Sequence, residues 1–294
     1  MRKIVFGLLR LSGIHFLFRE FIQRNKVTIL LFHDISKESA ERTFTFLSEK
    51  YNIIALDDYI DAVKNQTPLP KKAMIITFDD GHVRNYEMLS VIKKLNIPVT
   101  IFLCASIINT NRHYWFLYKN SGISKSKLKK KSNRDKLEIL SKSGFETDKE
   151  YDTPQALQKM HIDEMRPYVN FQSHTLFHPI LPKCGDEQAW EEIFYSKEIL
   201  EKEYGFKINT LSYPNGDYSE RDIQLAKKAN YECGITVDYG YNTLKTDLFR
   251  LKRFCANDTE DINELIIKAT GAWSYLRAGF GIRQGFGFID KTEK

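Results

Sequence analysis

Short apolar runs alternate along most of the chain with stretches in which apolar positions recur at helical spacing. The short runs predict buried strands over Val27–Phe32, Ile53–Ala55, Met74–Phe78, Val99–Leu103, Tyr168–Gln172, Thr210–Tyr213, Cys233–Val237 and Phe249–Phe254. The longer stretches predict helices over residues 38–50, 57–64, 84–95, 155–166, 187–204, 219–229 and 260–270. Strands that alternate with helices of this length predict an α/β fold built on a parallel sheet or barrel.

Two helix ends carry signals of their own. Asn96 and Pro98 follow the apolar face of the helix predicted over 84–95 and indicate where it ends. Thr153 and Pro154 suit the N-cap and the first position of the helix predicted after them. We therefore expect both helices to have their boundaries at these residues.

Three segments interrupt the alternation. Residues 1–26 mix apolar with basic side chains, and Arg10 ends the apolar stretch too early for a signal peptide or a spanning helix. We expect a helical segment there, packed either on its own domain or against a membrane surface. A basic segment at about 107–152 is expected to be inserted over one end of the sheet, within a domain of residues 27–270. It is either a solvated surface or a contact for an anionic glycan or lipid. Residues 271–294 form an aromatic and basic tail.

Composition narrows the class of protein. With 42% hydrophobic and 28% charged residues, the chain has the make-up of a soluble globular protein. A net charge of +6 and a pI near 8.9 do not indicate nucleic acid, which we do not expect as a partner, and they fit a location near anionic membranes. The four cysteines are widely spaced and are expected to be mostly buried thiols.

Candidate chemistry lies at two predicted strand ends. Asp79 and Asp80 directly follow one strand, and His174 and His178 stand four residues apart after another. A catalytic metal typically takes three protein ligands and keeps one open position, which two imidazoles and one carboxylate would satisfy. The second carboxylate could then accept a proton from water bound to the metal. The two histidines alone are also consistent with surface or structural roles, and this pattern does not say which aspartate is the ligand.

The stretches "TFDDG" at 77–81 and "SHTLFH" at 173–178 resemble the first two motifs of the polysaccharide deacetylases, the NodB-homology enzymes of carbohydrate esterase family 4. The resemblance covers roughly residues 27–270, through "ILLFHDIS", "YNIIALDDYI", "IPVTIFL", "LSYPNGDYS" and "FRLKRF". It implies a distorted (β/α) barrel with parallel strands and outer helices. It also implies the removal of N-acetyl groups from amino-sugar polymers.

The resemblance assigns roles to the two motifs. Asp79 would be the general base, and Asp80 would bind the metal together with His174 and His178. A metal-bound water would attack the acetamide carbonyl. Zinc is the expected ion, although cobalt, nickel or iron would also suit two imidazoles and a carboxylate.

The third family motif is altered in this chain. It falls on residues 212–216, where the backbone N–H of Asn215 matches the oxyanion donor and Tyr213 is a candidate for substrate binding. Ser212 replaces the arginine that orients the base in the family. Arg253 is a candidate to substitute for it from a neighbouring strand, and the alternative is a structural arginine.

The family's general acid is a histidine in a Leu-x-His motif near the C-terminus, and no histidine follows His178 here. Leu31-Phe32-His33 is a Leu-x-His at the end of the first predicted strand. In a closed barrel the first and last strands are neighbours, so His33 could supply the acid from the front of the chain. This arrangement resembles the circularly permuted poly-N-acetylglucosamine deacetylases. The alternative is a structural histidine.

These observations lead to one function and two alternatives. The expected function is a metal-dependent N-deacetylase acting on an N-acetylated glycan or a lipid-linked amino sugar, with peripheral membrane contact as a possible addition. The alternatives are a hydrolase of a non-sugar amide and a catalytically weak protein of glycan binding or assembly. A cytoplasmic or membrane-peripheral location is favoured over export.

Overall fold

A sheet of parallel strands forms the centre of the molecule. In this computed structural model, residues 2–256 and 258–279 are described. The strands are Thr28–Phe32 (β1), Asn52–Ile53 (β2), Ala73–Phe78 (β3), Val99–Leu103 (β4), Val169–Ser173 (β5), Thr210–Ser212 (β6), Cys233–Ile235 (β7) and Phe254–Cys255 (β8). Nearly every residue of the long strands is buried, because a parallel sheet covered by helices has no solvent face.

The strand order is β7-β6-β5-β4-β3-β1-β8, and β2 pairs with the start of β3. A parallel bridge between Ile235 and Leu251 joins the segment before β8 to β7, so the two ends of the sheet meet. The first strand pairs with the last through Leu30 and Phe254. The predicted distorted barrel of parallel strands is therefore confirmed.

Helices cover the outside of this barrel. They are Arg2–Leu11 (α1), Ile14–Leu17 (α2), Lys37–Lys50 (α3), Leu56–Asn65 (α4), Leu89–Leu95 (α5), Lys125–Lys129 (α6), Asn133–Ser141 (α7), Lys159–Met165 (α8), Asp186–Tyr204 (α9), Glu220–Lys228 (α10), Ile262–Ala269 (α11) and Ala272–Gly279 (α12). In α3, Ala40, Phe44 and Leu47 recur at helical spacing and are fully buried. Three of the four cysteines are buried, as expected.

Several predicted elements have the wrong bounds. The helix predicted from residue 155 begins only at Lys159, so Thr153 and Pro154 do not cap it. The reason is that Gln155 and Leu157 hydrogen-bond instead with the chain that follows β3. The strand predicted over Phe249–Phe254 is a 3₁₀ turn followed by the two-residue β8. It is broken because Leu251 pairs with β7, whereas the residues of β8 pair with β1.

The end predicted for the helix over 84–95 is correct, since Asn96 closes α5 in a left-handed conformation with φ 49°. The helix itself starts later, at Leu89, after a 3₁₀ turn over Val83–Met88. The predicted end of this helix is therefore confirmed, and its predicted start is wrong.

The inserted segment at 107–152 contains α6 and α7, and its residues Trp115, Leu128 and Phe145 form a small apolar cluster together with Ile180. Its boundaries as an insertion, and those of the 27–270 domain, stay predictions. The predicted tail at 271–294 is described only through α12, and its remainder lies outside the described residues. Among the described helices, none has both the length and the apolar character needed to cross a membrane.

Candidate active site

The carboxyl ends of β3 and β5 bring the two motifs together. Asp79 and Asp80 follow β3, and His174 follows β5, which lies one strand away across β4. Asp80 has a left-handed φ of 72° and Gly81 one of 70°, so the chain turns sharply after the carboxylates. A Cβ at Gly81 would lie 2.6 Å from the Leu103 side chain, so this close turn requires glycine.

Asp80, His174 and His178 form a compact group of buried ligand atoms, all within 4.8 Å of one another. Asp80 Oδ1 lies 3.3 Å from His178 Nε2 and 3.5 Å from His174 Nε2. Within the described residues, this buried oxygen has no hydrogen-bond partner. A buried carboxylate oxygen without a donor is costly unless a cation lies against it. The group therefore fits a divalent metal ion with two imidazole ligands and one carboxylate ligand.

The surroundings of the two imidazoles leave each ring able to bind a metal. His174 Nδ1 lies 2.7 Å from the Ser212 carbonyl oxygen, an acceptor that places the ring proton on Nδ1 and leaves the Nε2 lone pair free. Burial lowers the pKa of His178 to about 3, so this imidazole is neutral at physiological pH. Both rings can thus donate a lone pair to a metal.

The second aspartate has different partners. Arg253 is fully buried and donates from Nη1 and Nη2 to the two Asp79 oxygens, each at 2.8 Å. Ser212 Oγ lies 3.2 and 3.3 Å from the same oxygens. Burial alone would raise the pKa of Asp79, but the Arg253 guanidinium and His174 hold it below its ordinary value. Asp79 is thus an oriented, ionised carboxylate beside the ligand group.

His33 follows β1, and its partner follows β8. The backbone N–H of His33 donates to Asp258 Oδ1 at 2.9 Å, and its Nδ1 lies 3.4 Å from Asp258 Oδ2. Burial would lower the pKa of His33, but Asp258, Asp80 and Asp79 together raise it to about 9. The pairing of β1 with β8 therefore places a protonated imidazole at the same end of the barrel as the two aspartates.

Two residues of the third motif, at residues 212–216, lie in different surroundings. Asn215 sits in a left-handed turn with φ 61°, and its side chain contacts Lys129 of the inserted segment and Asp217. The side chain of Tyr213 is fully buried, and its hydroxyl donates to the Phe249 carbonyl at 3.2 Å. The structure therefore does not bring the Tyr213 side chain to the candidate site.

The inserted segment covers this end of the barrel. Trp115 Nε1 donates to the His178 carbonyl oxygen at 2.8 Å, and the Phe116 ring lies 4.6 Å from the His178 ring. Lys129 reaches Asn215, as described above. The segment thus supplies aromatic and basic side chains beside the ligand group.

A sequence model of the family described as Polysaccharide deacetylase matches residues 66–234, which is more than half of the chain. The chain belongs to the polysaccharide deacetylase family. It is therefore a hydrolase that acts on amide C–N bonds of glycans. The match includes Asp79, Asp80, His174 and His178 but not His33 or Arg253.

Two kinds of relatives agree with this membership. The Bacillus subtilis (strain 168) protein described as "Putative polysaccharide deacetylase YxkH" is 22% identical over 239 residues, which cover 78% of this chain and 70% of that protein. Among solved structures, the Streptococcus pyogenes deacetylase PplD in complex with acetate has a TM-score of 0.63 at 18% identity, covering 84% of this chain and 99% of that chain. IcaB from Ammonifex degensii has a TM-score of 0.62 at 15% identity, and the match covers 84% of this chain and 98% of that chain. These structures show that the fold is shared.

The sequence alone assigned no role to three groups at this deacetylase site. His82 Nε2 lies 3.1 Å from Asp80 Oδ2, so His82 contacts the oxygen that faces away from the other two histidines. Asp258 pairs with His33, and Glu192 of α9 accepts hydrogen bonds from the loop between the histidine ligands. Only His82 had a visible signal, its position directly after the "FDDG" turn.

Glu192 supports the loop that carries both histidines. Its Oε2 accepts from the backbone N–H groups of Leu176 and Phe177 at 2.8 and 3.0 Å, and the residue is buried. In Glu192→Ala these two donors lose their acceptor, so we expect the free energy of unfolding to fall by roughly 2–4 kcal/mol. Chemical denaturation measures this change.

The matched control is Glu191→Ala, an exposed glutamate on the same helix, which should change stability by less than about 0.5 kcal/mol. Equal losses in the two variants would show that the Glu192 carboxylate does not support the loop.

Proposed function

We propose that this chain is a metal-dependent N-deacetylase of an N-acetylated amino-sugar polysaccharide or glycoconjugate. The observation that supports it most strongly is that two adjacent buried carboxylates have different partners. Asp80 presents an oxygen without a hydrogen-bond donor to His174 and His178, and Asp79 is held by Arg253 instead. A binding protein would have no need for two buried carboxylates so differently partnered.

Asp80, His174 and His178 would hold the ion, with zinc first among the candidates. When bound, a divalent ion of this kind lowers the pKa of a coordinated water and polarises a carbonyl oxygen. His82 keeps the Asp80 carboxylate in place through its second oxygen.

Asp79 is the proposed general base. It would accept a proton from the water that attacks the acetamide carbonyl, which requires an ionised carboxylate in a fixed orientation. Arg253 satisfies both requirements through its paired contacts, and its own position is fixed because Nε donates to the Thr236 carbonyl at 2.8 Å. The backbone N–H of Asn215 is the proposed donor to the oxyanion.

His33 is the proposed general acid. It would give its proton to the sugar nitrogen as the C–N bond breaks, and acetate would leave from the other side. Asp258 contacts the imidazole through Oδ2 and the His33 backbone N–H through Oδ1, and it favours the protonated form of the ring. The amine and the acetate are then released as separate products.

The acid role predicts an alkaline limit to activity. In the folded protein the pKa of His33 is raised from its ordinary value of 6.5 to about 9. The His33 proton is therefore fully present below pH 6.5 and is lost as the pH rises through about 9. A cation against Asp80 would weaken one of the charges that raise this pKa. We therefore expect the rate of acetate release to fall with an apparent pKa between 6.5 and about 9.

Two variants test whether His33 is the group that causes the loss of activity at high pH. His33→Gln should lower the rate by about 10²–10⁴-fold and abolish the alkaline limb while the metal content is unchanged. Asp258→Asn should keep the acid but move the limb to lower pH, because the imidazolium loses its partner. An unchanged limb in His33→Gln would exclude His33 as the group that titrates.

The substrate class is tested by a screen for released acetate. Chitooligosaccharides, a lipid-linked N-acetylated amino sugar and a non-sugar acetamide are compared, with metal analysis of the same preparation. Acetate from the sugars alone supports the proposal, whereas acetate from the non-sugar amide alone would favour a different amidase. Metal-loaded protein that releases acetate from none of them would favour a role in glycan binding or assembly.

A further inference from the structure

Residues 2–22 form a helical pair, α1 and the helical turns over residues 14–22, whose inner face packs on α11 and α12. Phe6 of α1 is almost fully buried against Ile267 and Ala272, and its ring lies 4.8 Å from that of Trp273. Arg2 adds an ion pair with Glu264 of α11. The predicted packing of this segment on its own domain is therefore present, and it uses only one face of α1.

The outer face of the same segment is apolar and exposed. Of the 14 large hydrophobic side chains exposed among the described residues, eight lie between residues 4 and 22. These eight are Ile4, Val5, Leu8, Leu11, Phe16, Leu17, Phe21 and Ile22. Scattered exposed hydrophobics are normal, but eight of them within 19 residues of one helical pair indicate an interaction site.

The segment also carries most of the net positive charge of the chain. Residues 1–26 hold six basic residues and one acidic residue, a net +5, and the whole chain has a net charge of +6. Lys3 and Arg24 are exposed, and the Arg2 side chain is 64% exposed beside its ion pair. The segment thus combines exposed apolar side chains with exposed basic ones.

We propose that residues 2–26 dock this protein on the surface of an anionic lipid bilayer. The eight exposed apolar side chains would enter the boundary between headgroups and acyl chains, and the basic residues would contact lipid phosphates. A second copy of the chain is a poorer occupant, because its own +5 segment would meet this one with like charge. With ten residues, α1 is about 15 Å long, so it would lie on the bilayer rather than cross it.

Vesicle co-sedimentation tests the docking. The full chain is mixed with vesicles of phosphatidylcholine alone, or with about a third phosphatidylglycerol, at low and high salt. We expect at least about tenfold stronger binding to the anionic vesicles, and a loss of that preference at high salt. Absence of binding to both kinds of vesicle would overturn the proposal.

Matched variants locate the surface. The triple variant Leu8→Gln, Leu11→Gln, Phe21→Gln keeps Phe6 and should weaken vesicle binding by more than about tenfold, since burial of one such side chain already contributes that much. The control Met160→Gln changes a side chain that is 65% exposed elsewhere and should bind like wild type. Lys3→Gln with Arg24→Gln should reduce the preference for anionic lipid.

Two further readouts keep the result interpretable. Acetate release from a soluble glycan should be unchanged in the triple variant, which separates docking from the proposed catalysis. Light scattering without lipid should show no self-association that the triple variant removes. Such self-association, or wild-type vesicle binding by the triple variant, would contradict membrane docking by this surface.

Discussion

Asp79→Asn is expected to lower acetate release by about 10²–10⁴-fold while the protein still binds its metal. The amide has nearly the same shape as the carboxylate but cannot accept a proton from water. The bound metal should be retained because Asp80, His174 and His178 are untouched. Rates and metal content are measured on the same preparation.

The substitution also removes the carboxylate from a buried guanidinium. Arg253 would lose its charged partner, so we expect a loss of about 3–5 kcal/mol in the free energy of unfolding, and assays must be run where the variant is folded. Asp163→Asn, on the exposed face of α8, is a control that should leave both quantities unchanged. A folded Asp79→Asn protein with the wild-type rate would remove the base assignment.

His174→Ala is expected to lose both the metal and the activity. The variant keeps only two of three ligand side chains, and the ring fixed by the Ser212 carbonyl is gone. Metal content per chain should fall from about one ion to near zero, measured by elemental analysis after purification in metal-supplemented buffer.

The matched control for this variant is His161→Ala, which removes a histidine that contacts Tyr86 outside the site. It should keep its metal and its rate. Retention of the ion by His174→Ala would show that this imidazole is not a ligand.

The sequence predicted most of the fold because the strands are buried on both faces. The observed β3 and β4 match the predicted runs closely, since each is an uninterrupted set of apolar and β-branched residues. The run over Phe249–Phe254 failed because its pairing partner changes from β7 to β1 partway along, and no local pattern encodes such a change. Helix α8 began late because a non-local pairing with residues after β3 replaced its first turn.

The same distinction between local and non-local information applies to the site. Asp79, Asp80, His174 and His178 lie in two short stretches and could be found by their motifs. Asp258 and Glu192 act across the fold, on groups more than a dozen residues away in sequence, and carry no motif. They become visible only when β1 pairs with β8 and when α9 packs behind β5.

Arg253 shows how an altered motif can leave the geometry intact. In this chain Ser212 stands where the family has an arginine, and the guanidinium comes from the segment before β8 instead. Both side chains contact the carboxylate of Asp79, the proposed base. Ser212 remains in contact with Asp79 through its hydroxyl, which fills part of the space that a longer side chain would need.

The most direct test of the metal-dependent mechanism is acetate release from an N-acetylated amino-sugar polymer before chelation, after chelation and after zinc is returned. We predict release by the metal-loaded protein, loss of release on chelation, and recovery when zinc is restored, with one free amine formed for each acetate. Release that persists after the ion is removed would contradict this account.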